Sequence, residues 1–524
     1  MRLIKLLCLV LVTTLFTTAL YITPLSANTE PTPDTSWYYG NEDEETFTIY
    51  TADQLAGLAE LVNGGNAFDL KTIMLGNDID LSEYGKNWNN GQGWIPIGVE
   101  IFYYGPHIRM RPFYGIFDGN NHAITGLYIY YDTPTLSSNA SFLGVGLFGY
   151  CPANISNDSP SIKNLSVIDA NITALDRVTA DGIVGKITGT GVGLSNCYVT
   201  GEVKGSYNVG GVVGTASGHS IGGPVIIKNC YSGVVVSGIS NPYHATAEVG
   251  PLGGVVGSMQ AIQMVNCYSA GSISGGNYVG GIAGEINGLD SNVTNCYTTS
   301  TVNSIATGGG IAGYINSSDT VVIVNNCVAL NPYISGGGIG RIALNRSHLD
   351  LLSNNRALSD MIVKRNDMDK ELIKGHDQVD GEDVTMEEAK TAAFWTETMG
   401  WDDEVWLFED GKLPTLRDVP EKDIFDGLIT TTSKAVRING NIVLTVDTDV
   451  EIPDDNFIHI ALYDEQNKLV DYILIPIITE DKTLGHFYVV FKDNANADYV
   501  KVFIWKQSMN SVSIADKIPI STIE

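Results

Sequence analysis

Positive charge is what this chain has least of. Its 524 residues carry 30 Lys and Arg against 59 Asp and Glu, a formal net charge of −29. A chain so acidic repels phosphate backbones and anionic lipid, so nucleic acid is not an expected partner. Long apolar runs are also scarce. After Leu20 no stretch reaches the about 18 apolar residues of a membrane-spanning helix, so membrane insertion is not expected. Catalytic signatures are missing too. There is no His-Glu-x-x-His, and none of the Asn-Thr-Asp, Gly-His-Gly or Arg-Ile-Lys motifs of pectinase-type enzymes.

The apolar run that does exist lies at the start. Arg2 and Lys5 precede Leu6–Leu20, and Leu25-Ser26-Ala27 offers small residues for cleavage. Residues 1–27 therefore read as a secretory signal peptide, and the product as exported. Leu413-Pro414-Thr415-Leu416 is internal and no apolar tail follows it, so any attachment to the cell surface is expected to be noncovalent.

The middle of the chain is a repeat. Asn-Cys-Tyr occurs at Asn196-Cys197-Tyr198, Asn229-Cys230-Tyr231, Asn266-Cys267-Tyr268 and Asn295-Cys296-Tyr297, then decays to Asn326-Cys327-Val328. A glycine half follows each copy, as in Gly253-Gly254-Val255-Val256-Gly257 and Gly280-Gly281-Ile282-Ala283-Gly284. Successive cysteines are 33, 37, 29 and 31 residues apart, the mark of a stacked architecture. The repeats are rich in Gly, Val, Ser and Thr and lack amphipathic helical runs, which disfavours a helical solenoid. Three short strands in about 30 residues make one coil of a right-handed parallel β-helix, each coil adding about 4.8 Å.

The register assigns roles. Leu194, Ile227, Met264, Val293 and Val324 stand three residues before a cysteine. Positions −3 and 0 share a face only if the strand bends between them. Asparagine at −1 suits that bend and could stack as a hydrogen-bonded ladder. Cys197, Cys230, Cys267, Cys296 and Cys327 then form an inward ladder of small side chains, read as reduced thiols, with pairing between neighbours left open. The next residue points outward. Tyr198, Tyr231, Tyr268 and Tyr297 thus form a column able to stack on sugars or peptides, or else one that only stabilises the sheet or lies under a loop.

Around the repeats the chain divides further. Residues 28–46, rich in Pro, Thr and acid, read as a flexible leader. Residues 47–143 hold an N-terminal cap and the first coils: Thr51 with Gln54 opens a helix and Gly64-Gly65 closes it. The repeats proper span 144–343. Residues 344–424 read as a charged insertion followed by a closing cap, with a second capping box at Thr385 and Glu388 opening a helix to about Thr398. Residues 425–524 read as an Ig- or fibronectin-like β-sandwich, with strands at 438–446, 457–463, 469–478, 486–491 and 499–505.

Asn-Cys-Tyr, Gly-x-Val and Val-Gly-Gly-Ile/Val-x-Gly together resemble the GLUG-motif repeat of bacterial secreted and surface proteins. Trp94-Ile95-Pro96-Ile97-Gly98, Phe113–His122 and Phe394–Leu416 fit the same type, so the resemblance covers roughly 47–418. It implies an adhesin-like parallel β-helix and assigns no chemistry. The expected function is a secreted or cell-surface-associated protein that binds an extracellular glycan or a matrix or host protein. The alternative is a β-helix polysaccharide lyase or glycoside hydrolase with an accessory sandwich domain; a structural spacer is a third reading. For hydrolysis the best carboxylate pairs are Asp78 with Asp80 and Asp402 with Asp403, each more simply read as turn or surface charge. His219 and His376 read as solvated loop residues. No catalytic residue, metal ligand or cofactor is assigned. Asp402-Asp403-Glu404 could hold Ca²⁺ but lacks a motif for it.

Overall fold

Each turn of the stack pivots on an asparagine in the left-handed conformation. Asn164, Asn196, Asn229, Asn266, Asn295, Asn326 and Asn354 all have φ between 50° and 56°. Residues with a Cβ seldom enter this region, and asparagine enters at least cost. The pivot turns both flanking positions inward: Leu194 and Cys197, Ile227 and Cys230, and Met264 and Cys267 are fully buried. The asparagine amides form the expected ladder, Nδ2 donating to the coil before at every step but Asn295 to Asn266. Asn196 donates to Asn164 (3.1 Å), Asn229 to Asn196 (3.0 Å), Asn326 to Asn295 (2.7 Å) and Asn354 to Asn326 (2.6 Å). Asn164 begins the series by donating to Asp118 at 3.0 Å.

The computed structural model describes residues 30–419 except 103–107, 133–143, 154–160, 176–178, 219–222, 241–248, 289, 318–320, 345–350 and 367, and beyond them seven strands between 431 and 522. The fold is all-β and its repeat region is a parallel β-helix. The coil 262–287 is typical. Ile262–Val265, Tyr268–Ser269 and Ser272–Ser274 belong to a 23-stranded sheet. Tyr278–Gly280 belongs to a seven-stranded sheet and Ala283–Asn287 to a six-stranded one. Five strands appear where three were expected, because the asparagine pivot and a glycine kink (Gly271, φ 144°) divide the first arm.

The glycine half lets coils approach. A Cβ on Gly281 would sit 2.0 Å from the carbonyl oxygen of Gly310, and one on Gly254 2.0 Å from that of Gly281. No rearrangement of side chains relieves a clash with backbone, so glycine is required at both.

At the N-terminal end, helix α1 (Ala52–Gly64) follows the edge strand Thr46–Ile49, which pairs with Thr72–Leu75. Thr51 accepts from the Gln54 amide, and Gly65 (φ 116°) ends the helix with its amide on Val62 while Asn66 reaches Leu61. Leu55, Leu58, Leu61 and Val62 join the common core, so the helix serves as the expected cap. Residues 33–46 are not the flexible leader the composition suggested. Trp37 packs on Phe47 and Phe68 at 5.3 and 6.0 Å, its indole donates to Gln54, and the Asp34 amide bonds to Asp53. Aromatic burial outweighs the local Pro and acid content. Residues 1–27, read as a signal peptide, lie outside the described residues.

At the other end, the stretch after Arg341 read as an insertion continues the large sheet. Leu351–Ser353, Arg356–Leu358 and Ile362–Arg365 pair in parallel with the last repeat coil, and Glu382–Val384 pairs with Arg356–Leu358 in turn. The Thr385 capping box forms, but the α-helix stops at Ala389. Trp395 Nε1 takes the Ala389 carbonyl and the Gly411 amide takes that of Lys390, leaving a separate π-helical turn at Phe394–Thr398.

The last seven strands pair as an Ig-like domain does. Asn441–Thr448 lies between Thr431–Ile438 and His486–Lys492. Phe457–Tyr463 lies between Leu469–Pro476 and Tyr499–Trp505, which pairs with Ser511–Thr522. A parallel ladder at Ala435 and Ile520 joins the two sets. The first and last of these strands were not expected from the sequence, although Asn439-Gly440 is a hairpin signal lying between two of them.

Candidate functional site

The tyrosine column is assembled, and it is closed. Tyr198, Tyr231, Tyr268 and Tyr297 are in register, with successive ring centroids 4.8, 4.3 and 4.9 Å apart. Each is only 3–4% exposed, so the column is not the open binding surface expected. The closing segment lies along its flank instead of covering only the end of the stack. Trp406 contacts Tyr268 and Tyr297, Trp395 and Trp401 contact Tyr297, and the Tyr297 hydroxyl donates to the Pro414 carbonyl at 2.7 Å. Trp401 Nε1 and the Asn326 amide complete the dock, donating to Asn326 O and Met399 O.

The inward ladder is fully buried. Cys197, Cys230, Cys267, Cys296 and Cys327 each donate through Sγ to the carbonyl two residues earlier, at 3.2–3.4 Å. Burial pushes the thiols of Cys197, Cys267 and Cys296 up, and that of Cys151 up to about 12, which disfavours the reactive thiolate.

The carboxylate pairs hold turns. Asp78 Oδ1 accepts from the Ala123 amide and contacts His122, Asp80 Oδ1 accepts from Ser82, and Asp402 Oδ1 from Glu404. His376 is exposed in a loop, and His219 lies outside the described residues. Among the described residues no three His, Cys, Asp or Glu side chains are grouped to hold a metal ion, Asp402-Asp403-Glu404 included.

Among the described residues, the more exposed face lies on the six-stranded sheet. Strand alternation sends Cys151, Ile187, Ala216, Met259, Ile286 and Ile315 inward, all at most 1% exposed. Their neighbours stand in register on the opposite side: Lys186, Thr215, Glu285 and Tyr314 are half-buried, while Tyr150 and Ser258 are buried at 8% exposure. Beside them runs Thr188, Ser217, Gln260, Asn287 and Asn316. Six strands make a strip about 24 Å long at the usual spacing.

Each end of the strip carries aromatic rings beside one charge. Lys186 Nζ lies 5.5 Å from the Tyr150 ring centroid. At the other end Tyr314 stacks on Tyr278 at 4.6 Å, next to Glu285. Asn316 donates to Asn287 at 3.0 Å, Asn287 reaches Ser258 at 3.5 Å, and Ser258 reaches Glu285 at 3.4 Å. Burial raises the Glu285 carboxyl above its usual range, partly offset by hydrogen bonds from Asn287 and Ser258. Rings, amides and a carboxylate in line can stack on sugar faces and bond to hydroxyls.

The sequence signal for this face is the residue after the last glycine of each glycine half. Lys186, Thr215, Ser258, Glu285 and Tyr314 follow Gly185, Gly214, Gly257, Gly284 and Gly313. That position varies freely while its neighbours repeat, as an outward surface would.

No protein-family profile matches the chain. Over 168 residues it is 32% identical to halomucin of Haloquadratum walsbyi, a match covering 32% of this chain and 2% of halomucin. A Bacteroides ovatus crystal structure assigned provisionally as an immunoglobulin A1 protease aligns over 71% of this chain and 92% of its own, with a TM-score of 0.45 and 20% identity. The enzymatically active domain of tailspike protein 4 of bacteriophage CBA120 aligns over 86% of this chain and 63% of its own, with a TM-score of 0.20 and 11% identity.

Proposed function

We propose that this is an exported, surface-associated binding protein that recognises an extended extracellular glycan along the outward face of the six-stranded sheet. The observation that carries the reading is the in-register strip from Lys186 to Tyr314, polar along its length, with Gln260 and Asn316 exposed and the half-buried ring of Tyr314 at one end. Likeness to halomucin over a third of the chain supports the extracellular setting, and the GLUG-like repeats fit an adhesin. The lyase or hydrolase reading is weaker. Two carboxylates must face each other across a glycosidic bond, and on this strip Glu285 stands without a second.

The test is a glycan and matrix-protein array probed with the mature protein, with the bound species then monitored for cleavage products. The proposal expects retained glycan binding without product release, and loss of binding in Tyr314→Ala. Product release would move the chain to the alternative reading, and no glycan binding would overturn the proposal.

A further inference from the structure

A second site lies where α1 meets Trp88, Trp94 and Ile95. Ala56, Ala59, Glu60 and Asn63 recur at helical spacing on one face of α1 and form one wall of a cleft of about 270 Å³. Trp88, Trp94, Ile95 and Pro33 form the rest. The alanines let the indoles approach the helix. Most polar atoms here are spent on the fold: Asn63 donates to Pro96 O and accepts from the Gly98 amide, and Trp94 Nε1 donates to Leu147 O. Glu60 is different. It is exposed, is the one charge lining the cleft, and has no hydrogen bond or ion pair among the described residues.

We propose that this cleft binds a small primary ammonium compound, its apolar body held between Trp88, Trp94 and Ile95 and its cation paired with the Glu60 carboxylate. The choice of ligand follows from charge and size. Indole faces attract cations through their quadrupole, and a carboxylate beside them fixes where the charge sits. An anionic ligand would meet Glu60 and the net acidity of the chain. The volume lies below the roughly 300–1,000 Å³ of drug-sized pockets, which limits the body to about one aromatic ring or a short alkyl chain.

The test is calorimetric titration of the full mature chain with phenethylammonium, alongside neutral 2-phenylethanol and anionic phenylacetate, with tryptophan fluorescence as a second readout. Phenethylammonium should bind saturably, about tenfold tighter than the alcohol, and phenylacetate should not bind. Glu60→Gln, at an exposed position, should keep the melting temperature and bring the ammonium down to the alcohol's affinity. Trp88→Leu should weaken both the ammonium and the alcohol. Absence of saturable binding, equal binding of phenylacetate, or unchanged affinity in Glu60→Gln would overturn the proposal.

Discussion

At the residue scale, the repeat is explained by what each position must do for its own backbone. Asparagine at −1 was legible because tolerance of the left-handed region is a local property of the side chain. Cysteine was legible as core, but its second role was not. Its thiol satisfies the carbonyl two residues before, which the pivot leaves facing the interior. Where the column ends, Asn355 takes the position, donating to Val324 O at 2.8 Å and accepting from the Cys327 amide at 2.9 Å. Asp181 is the exception to local economy. It is fully buried, neither carboxylate oxygen has a hydrogen-bond partner of good geometry among the described residues, and desolvation raises its carboxyl well above the usual value. A carboxyl raised on folding stabilises fully below its unfolded pKa, and that contribution is lost as pH rises through the folded value. Asp181→Asn, which keeps the shape, should therefore raise the urea midpoint at pH 8 and change it little at pH 4. A lower midpoint at pH 8 would show that the folded protein uses the ionised form.

At the scale of the element, the tyrosine column shows how far a repeat can be read in isolation. Its register was legible from period and alternation, but its exposure was not. Over Tyr268 and Tyr297 the cover comes from Trp395, Trp401, Trp406 and Pro414, about a hundred residues further along the chain, and nothing in the repeat announces it. The column is thus an internal dock. Tyr297→Ala should cost about 3–5 kcal/mol, the usual range for emptying a buried aromatic site, and should loosen the closing segment. Urea unfolding measures the cost, and protease cleavage between Thr398 and Leu416 reports the loosening. A change below about 1 kcal/mol would mean the ring is not part of the core. The open face failed to stand out for the opposite reason. The position of Tyr314 holds tyrosine elsewhere only at Tyr150, with Lys186, Thr215, Ser258 and Glu285 between them, so a search for repetition passes over it.

For the whole molecule, a stack of parallel strands must finish somewhere, and its two ends are closed by different means. α1 and the Trp37 strap supply an apolar cover at the start. At the far end Arg341 is fully buried, bonded to the Asp380, Leu358 and Gly381 carbonyls and to Asp383 Oδ1 at 2.7 Å. Asp380 is held in turn by Lys370 and by the Arg341 amide. Arg341→Met strips three backbone carbonyls of their donor and should cost about 2–4 kcal/mol, an unsatisfied buried acceptor costing about 1–3 kcal/mol. A near-neutral result in denaturant unfolding would show that the end is closed by packing alone. The β-helix itself was legible because period, glycine spacing and pivot all agree. Its ends were less so, since Leu351–Arg365 continues the sheet after the glycine half has disappeared.

On this proposal recognition belongs to the strip of the six-stranded sheet and stability to the tyrosine column. The direct measurement pairs two variants, Tyr314→Ala with Glu285→Gln on the strip and Tyr268→Ala in the column, each followed by glycan-binding calorimetry and thermal melting. The strip variant should lose binding at an unchanged melting temperature, and the column variant should melt lower while its folded fraction still binds. Binding that survives the strip variant, or vanishes from a fully folded column variant, would contradict the account.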